Sequence, residues 1–385
     1  MIWHIITGEY PPQSGGVSAY TRAVAQALAA AGDSVEVWAP PLQQGSDAAD
    51  AGVRIHRLPD RFGSASLREL SATIDRASAR DRVLVQYVPH AFGWRGANLP
   101  FSRWLSRPRT AELWVMFHEV SYPFDLRQNL THNGLAIVNR LMARSISRAA
   151  TRQFASIAAW QPLLRRITGR DVNVDWLPVP SGIPVTANIS ASTALRARVG
   201  GGRPVVGHFG TYGRTIQRML AETLAVLLTT SDCAVLLIGR DSEEARRSIL
   251  ARTAVDPARV AATGEVPPDE ISVALSAADV LVQPYPDGVS TRRTTVMAGL
   301  AHGVAVATTA GWLTEALWHD LQATTLAPCD DAAALARDVV QLLQSSDARR
   351  DFGERGRQLY ESRFALRHTI RALRSGIPGA RPAVA

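Results

Sequence analysis

Hydroxyls, arginines and glycines crowd one stretch of this 385-residue chain. Pro284-Tyr285-Pro286-Asp287-Gly288-Val289-Ser290-Thr291-Arg292-Arg293-Thr294-Thr295 leads into the small residues Val296-Met297-Ala298-Gly299-Leu300-Ala301, and Gly303 ends the run. Guanidinium groups grip phosphate oxygens bidentately, and a helix start offers unpaired N–H groups to an anion, so this stretch predicts a phosphate site. A capped helix with solvated arginines is the plainer alternative. Two other segments have a similar character. In Glu9-Tyr10-Pro11-Pro12-Gln13-Ser14-Gly15-Gly16-Val17-Ser18-Ala19-Tyr20, paired glycines stand between an apolar run and a helix start, where backbone can approach a ligand closely. A simple strand–helix turn would look the same. Gly210-Thr211-Tyr212-Gly213-Arg214 follows an apolar strand, and Arg214 there could hold a diphosphate or decorate a surface turn. His118 ends the apolar run Trp114-Val115-Met116-Phe117, where an imidazole could relay a proton or bond a sugar. His90 also follows a strand and could face an acceptor, whereas His208 and His302 read as structural.

Composition removes several classes. The 42 basic residues are all arginine, against 34 acidic residues, giving a formal charge of +8. Without lysine there is no Schiff base to pyridoxal phosphate and no P-loop lysine. The Gly-x-Gly-x-x-Gly pattern of dinucleotide enzymes is absent as well. The basic balance suits phosphates, acidic lipid headgroups or nucleic acid, but no helix-turn-helix, zinc or ribonucleoprotein pattern supports the last. Arg140, Arg144, Arg148 and Arg152 recur every four residues, which on one helix makes a basic stripe. With Arg103, Trp104, Arg107, Arg109, Arg165 and Arg166 it reads as a solvated face or as a dock for an anionic membrane. Cys233 and Cys329 lack metal-ligand spacing and read as structural thiols, and no Asp-x-Asp cluster calls for a metal. No apolar stretch reaches the length of a membrane span, and Met1 to Ile6 reads as a buried strand, not a signal peptide. A cytoplasmic protein is expected, able to rest on the inner membrane face.

The elements that must position these residues form two α/β series. Ile2–Thr7, Ser34–Ala39, Val53–Leu58, Val83–Val88 and Leu113–His118 read as strands of a first parallel sheet, with helices over Ser18–Ala31 and Leu135–Arg152. Leu177-Pro178-Val179-Pro180-Ser181-Gly182-Ile183-Pro184 reads as a hinge. A second series follows, with strands at Val205–Phe209, Ala234–Ile238, Val260–Thr263, Val280–Gln283 and Val304–Thr308, and late helices at Val339–Leu343 and Tyr360–Leu373. This predicts domains at 1–183 and 184–365, a helix end and tail at 366–385, and ligands at the carboxyl ends of the strands, in a central cleft.

Together these segments resemble the family 4 glycosyltransferases, retaining enzymes of the GT-B fold, with two doubly wound Rossmann-like domains. The likeness runs from Pro11-Pro12-x-x-Gly15-Gly16-Val17-x-x-Tyr20 through Leu237-Ile238-Gly239-Arg240, Thr263-Gly264-Glu265-Val266 and Asp279–Pro284 to Gly311 and Glu315. It implies transfer of a sugar from a nucleoside-diphosphate sugar, UDP or GDP, to an acceptor hydroxyl, with no cofactor. The acceptor would be a sugar, a lipid-linked molecule or a small molecule in bacterial polysaccharide, glycoconjugate or natural-product synthesis. By the same resemblance Gly15 and Gly16 lie against the donor, Gly210, Thr211 and Arg214 near its diphosphate, and Gly239, Arg240, Glu265 and Val266 beside the base. Asp287, Gly288, Val289, Ser290, Arg292 and Arg293 would meet sugar and diphosphate, Glu9, Tyr20, His90 and His118 the acceptor, with His118, Asp287 and Arg214 in catalytic roles. The chain departs from the family in its donor loop. The usual pair of glutamates eight positions apart falls on Ser290 and Ala298, the loop is about three residues longer, and Ser290-x-Arg292-Arg293 stands in its place. That departure leaves two other readings open: a nucleotide-sugar epimerase on the same architecture, or a non-catalytic subunit.

Overall fold

The computed structural model describes residues 1–13, 15–42, 50–124, 129–253 and 255–375. The chain forms two compact units, one of Met1–Pro178 with the segment from Leu366, the other of Val179–Ala365. In the first, seven strands, β1 (Ile2–Thr7), β2 (Ser34–Ala39), β3 (Val53–Arg57), β4 (Arg82–Tyr87), β5 (Glu112–Phe117), β6 (Arg152–Ala155) and β7 (Asp175–Trp176), lie in the order β3-β2-β1-β4-β5-β6-β7. Every pair is parallel. Helices α1 (Gly16–Ala30), α2 (Ser64–Ile74), α3 (Leu99–Leu105), α4 (Leu130–Ala149) and α5 (Trp160–Thr168) connect them. Central strands such as β4 are buried along their whole length, the pattern of a sheet covered on both faces.

The second unit repeats the plan with six strands: β8 (Val205–Phe209), β9 (Ala234–Ile238), β10 (Val260–Ala262), β11 (Val280–Gln283), β12 (Ala305–Ala310) and β13 (Thr325–Pro328), ordered β10-β9-β8-β11-β12-β13 and again all parallel. Its helices are α6 (Ile189–Gly200), α7 (Arg214–Thr230), α8 (Ser242–Leu250), α9 (Pro268–Ala277), α10 (Thr294–Ala301), α11 (Ala316–Leu321), α12 (Ala332–Gln344) and α13 (Ser346–Leu359). Leu220, Leu224 and Leu227 of α7 and Val339 and Leu342 of α12 pack on Val206, Val235, Val280 and Val282 to form its core. In each unit the strand order reverses once, between β1 and β4 and between β8 and β11. Loops leaving adjacent strands there diverge to opposite faces and open a crevice at the carboxyl ends.

Three expectations change. The helix expected over Leu135–Arg152 runs from Leu130 to Ala149, capped by the Asn129 carboxamide oxygen, which accepts from the His132 N–H at 2.8 Å. Ala150 is extended, and Arg152 sits on β6, where its guanidinium stacks over Trp114 and Phe154 and pairs with Asp175. Arg144 and Arg148 are exposed on α4, where Arg148 donates to the Thr168 carbonyl, and the stripe ends there because Arg152 lies beyond the helix. The short strands β6, β7 and β13 were not expected. The units divide at Pro178/Val179, and the segment from Leu366 is not a detached end: helix α14 (Leu366–Arg374) packs on α1 in the first unit, burying Ile370 and Leu373. Arg374 there meets Asp33 at 3.4 Å. The tail expected at the end falls, from residue 376, outside the described residues.

Because Leu373 is 1% exposed, Leu373→Ala opens a cavity under α14. A loss of about 2–4 kcal/mol is expected in denaturant unfolding, with faster amide exchange in α1; an unchanged midpoint would show that α14 adds nothing to the first unit.

Candidate functional site

Around the β1–β4 reversal the chain is tightly specified. A side chain at Gly8 would run into Ala91, 2.3 Å from its Cβ, so the loop after β1 crosses the turn after β4 without one. Glu9 then folds its carboxylate onto the start of α1, accepting from the Ser18 N–H at 3.0 Å. A Cβ at Gly15 would lie 2.5 Å from the Glu9 carboxylate, so this glycine makes room for an acid of the protein itself. The amides of Ser18 and Val17, just behind the glycines expected to lie against the donor, are thus partly satisfied from within. Burial pushes the Glu9 carboxyl above the usual carboxylate range, and amide donors from Ser18 and Val17 partly offset it. Nearby, His90 lies 3.8 Å from Glu119 and stacks with Tyr122.

His118 is buried. Its Nε2–H donates to the Gln86 carboxamide oxygen at 2.8 Å, and its ring meets the edge of Tyr20, whose centroid is 5.0 Å away. Burial lowers its pKa to about 3, so the imidazole is neutral at physiological pH and offers hydrogen bonds, not a charge. Glu9, His90 and His118 thus gather at the ends of three neighbouring strands, β1, β4 and β5. Glu119 and Tyr122 complete the cluster. Neither Glu119, which directly follows His118, nor Tyr122 was singled out by residue type or spacing.

In the second unit, His208 is the last residue but one of β8; its Nδ1–H donates to the Val282 carbonyl at 2.8 Å, leaving Nε2 without a partner, 3.2 Å from where a Cβ of Gly210 would stand. Tyr212, with φ 55°, folds back and donates its hydroxyl to the carbonyls of His208 and Ile238. Thr211 and Arg214 are exposed at the start of α7. Gly239 (φ 107°) passes so near Gly210 that a Cβ would stand 2.9 Å from its carbonyl oxygen. Beside it Arg240 pairs with Glu265 at 2.5 Å, and the Gly239 N–H donates to the Thr263 hydroxyl, which joins the loops that carry Gly239, Arg240, Glu265 and Val266.

The loop after β11 is the most heavily constrained. Gly288 has φ 83°, and a Cβ there would meet the Gly311 nitrogen and the Thr314 hydroxyl at 2.2 Å. The Gly311 position in turn would place a Cβ 2.6 Å from the Asp287 carbonyl carbon. The two loops interlock through glycines, and the Val289 N–H to Thr309 and Leu313 N–H to Asp287 hydrogen bonds seal them, at 2.7 and 3.0 Å. Glu315 holds the far end: its carboxylate accepts from the Thr291 N–H, the Thr291 hydroxyl and the Trp318 indole. Val289 and Ser290, expected against the donor, are completely buried, and the Ser290 Oγ has no hydrogen-bond partner among the described residues.

What this frame presents is charge. Asp287 pairs with Arg292 at 2.7 Å and also with Arg293, whose guanidinium lies over the Tyr285 ring, 4.4 Å from its centroid. Two cations share one carboxylate, which leaves a net positive centre beside the first turn of α10. No side chain caps that turn. Gly299 lets α10 lie close on the sheet, since a Cβ there would stand 2.8 Å from Leu281. Guanidiniums and helix amides together make an anion site of the kind a diphosphate fills. Among the described residues no group of three or more His, Cys, Asp or Glu is placed to hold a metal ion, and no helix is long and apolar enough to cross a membrane.

Comparison with known proteins agrees with this organisation. Residues 15–180 match the family model described as glycosyl transferase 4-like domain, and residues 203–345 match glycosyl transferases group 1. No curated protein sequence matches the chain. Among solved structures, sucrose-phosphate synthase from Thermosynechococcus elongatus superposes with a TM-score of 0.73 at 18% identity, over 98% of this chain and 97% of that one. HepE from Anabaena in complex with UDP gives 0.68 at 15%, over 97% and 98%. WaaG, a glycosyltransferase involved in lipopolysaccharide biosynthesis, gives 0.66 at 16%, over 94% and 96%. At these identities the likeness establishes the fold, which is GT-B with two Rossmann-like domains.

Two measurements test the site. Asp287→Asn leaves both guanidiniums without their carboxylate, so inorganic pyrophosphate should bind about ten-fold more tightly by calorimetry, and weaker binding would contradict the arrangement. Burial lowers the His208 pKa to about 4. The unfolded chain, with a histidine pKa near 6.5, takes up a proton that the folded chain refuses, so stability is full above about pH 6.5 and falls toward pH 4. The loss from this one group approaches about 1.4 kcal/mol per pH unit, and His208→Gln should flatten urea midpoints measured from pH 7 to pH 5. Equal slopes in the two proteins would place His208 outside the acid response.

Proposed function

We propose that this chain, which belongs to the glycosyltransferases built from a 4-like domain followed by a group 1 domain, moves a hexose from a nucleoside-diphosphate sugar to an acceptor hydroxyl. One observation carries the reading: Arg292, Arg293 and the uncapped start of α10 converge at the mouth of β11. When the bond from the anomeric carbon to the diphosphate oxygen breaks, negative charge grows on the leaving group and the sugar becomes cation-like. Fixed donors aimed at that oxygen stabilise the charged state more than the ground state, which is how they lower the barrier. In this reading the two guanidiniums supply the charge that a divalent ion supplies elsewhere. The frame of Gly288, Gly311 and Glu315 keeps them from reorganising during the reaction. Arg214, exposed at the next strand end, is a further phosphate contact, and Asp287, between the two arginines, a contact to the sugar.

In the first unit the reading gives Glu9, His90, Glu119 and neutral His118 to the acceptor, since carboxylates and imidazoles bond sugar hydroxyls. Retention at the anomeric carbon comes with the family resemblance. The UDP and UDP-glucose complexes of HepE favour a uridine nucleotide, with GDP next. The acceptor class fits a sugar, a lipid-linked molecule or a small molecule in bacterial glycoconjugate or natural-product synthesis.

The test is a thermal-shift screen of UDP-, GDP- and ADP-sugars, followed by nucleotide release without acceptor. A cognate donor should raise the midpoint, and slow nucleotide release should fall about 10–100-fold in Arg292→Ala/Arg293→Ala, the worth of charged hydrogen bonds to phosphate. Wild-type release in that variant overturns the assignment. Donor binding without turnover under any acceptor would mark a non-catalytic subunit, and conversion of the donor sugar without nucleotide release would mark an epimerase.

A further inference from the structure

One aromatic side chain of the second unit stands where its type is least expected. Tryptophan is mostly buried in folded chains, and six of the nine here, Trp3, Trp38, Trp104, Trp114, Trp160 and Trp318, are at most 8% exposed. Trp312 is 69% exposed. A single exposed apolar residue is ordinary, so exposure alone carries nothing. What sets Trp312 apart is its place and the way it is held.

It lies in the loop after β12, between Gly311, which interlocks with Gly288, and Leu313, whose N–H donates to the Asp287 carbonyl at 3.0 Å. The Gly311 N–H donates to the Thr314 hydroxyl at 3.0 Å, and the Thr314 N–H returns to the Gly311 carbonyl at 3.1 Å. Leu313 and Glu315 are buried, so this braced turn keeps its anchors inside and turns the indole outward. Among the described residues the indole has no ring, cation or hydrogen-bond partner. A rigid ring on a fixed backbone loses little freedom when it meets a ligand.

The braced turn abuts the anion site. Gly288 directly follows Asp287, whose carboxylate holds Arg292 and Arg293, and a Cβ on Gly288 would stand 2.2 Å from the Gly311 nitrogen. The sheet order β10-β9-β8-β11-β12 then lays out a row of chemistries along the carboxyl edge. The loops of Arg240 and Glu265 follow β9 and β10, the guanidiniums and the uncapped start of α10 follow β11, and the indole follows β12. Neighbouring strands lie about 4.8 Å apart, so β9 to β12 covers about 14 Å, a distance that an extended nucleoside-diphosphate sugar spans. With the base at β9 and β10 and the diphosphate at β8 and β11, the sugar is the part of the donor that arrives at β12.

We propose that Trp312 is the platform for the donor's sugar: a pyranose lays a C–H face on the indole while its hydroxyls reach Asp287. An indole gains from apolar surface leaving water and offers little to a bare phosphate, so it separates a sugar nucleotide from the free nucleotide. The inference rests on the donor reading given above and deepens it. It assigns preference for a pyranose with an unbroken C–H face to a residue that no motif singled out.

Calorimetry of the full chain tests it, with UDP-glucose, GDP-mannose and ADP-glucose each beside its free nucleoside diphosphate. For the pair that binds, Trp312→Ala should weaken the sugar nucleotide about ten-fold and leave the nucleoside diphosphate within about two-fold, the worth of covering one aromatic face. Trp312→Phe keeps a flat ring and should restore most of the affinity. Because the side chain is exposed, urea midpoints of the three proteins should coincide. Equal weakening of both ligands would make Trp312 a support of the anion site, and unchanged affinity for both would leave the indole outside the site; either overturns the proposal. If no pair binds the wild-type chain, the donor reading itself fails and this inference with it, whereas a pair that binds with a ratio indifferent to Trp312 removes this inference alone.

Discussion

Two guanidinium groups held against a single carboxylate, at the mouth of a buried parallel strand, set the terms for the whole second unit. Like charges this close repel, and their solvent is partly removed, so they persist only where Asp287 lies between them and the backbone cannot relax away. The loop that carries them is therefore the most cross-braced part of that unit. Gly288 and Gly311 interlock where no side chain fits, and the Glu315 carboxylate fastens Thr291 from below. The positive centre is prearranged and only partly neutralised, which is the condition for stabilising charge that appears during a reaction.

The two units solve the same topological problem with opposite electrostatics. Each reverses its strand order once, and each gathers its polar residues at the carboxyl ends beside that reversal. In the first unit the group folded onto the helix start is an acid, Glu9, and its neighbours are Glu119 and His90. In the second the groups beside the helix start are arginines. The fold family, settled by two matched domains that between them span residues 15–180 and 203–345, explains the shared scaffold, and the side chains explain the division of labour.

Much of this was legible in the residues. Strands such as Ile2–Thr7, Ala234–Ile238 and Val280–Gln283 coincide with the apolar runs because a strand buried on both faces must be apolar throughout. The loops that follow them contain the site because topology places ligands there. Strands β6, β7 and β13 escaped notice because two to four residues make no period. Arg152 was misplaced because a four-residue spacing looks helical, whereas the helix ends at Ala149 and Ala150 is extended. Within the site, a side chain at Gly15 would collide with the Glu9 carboxylate, a close approach inside the protein that the glycine pair did not specify. The bridge from Asp287 to Arg292 and Arg293 spans a loop without periodicity, and only three-dimensional closure reveals it.

The central claim is that the segment from Asp287 to the first turn of α10 is where a nucleoside diphosphate is held. Hydrogen–deuterium exchange of the full chain with and without saturating UDP tests it most directly. The account predicts slowed amide exchange concentrated in residues 287–297, where the arginines tighten and the orphan amides of α10 gain an acceptor. Protection elsewhere in the second unit, with this segment exchanging as fast as in the free protein, would contradict it.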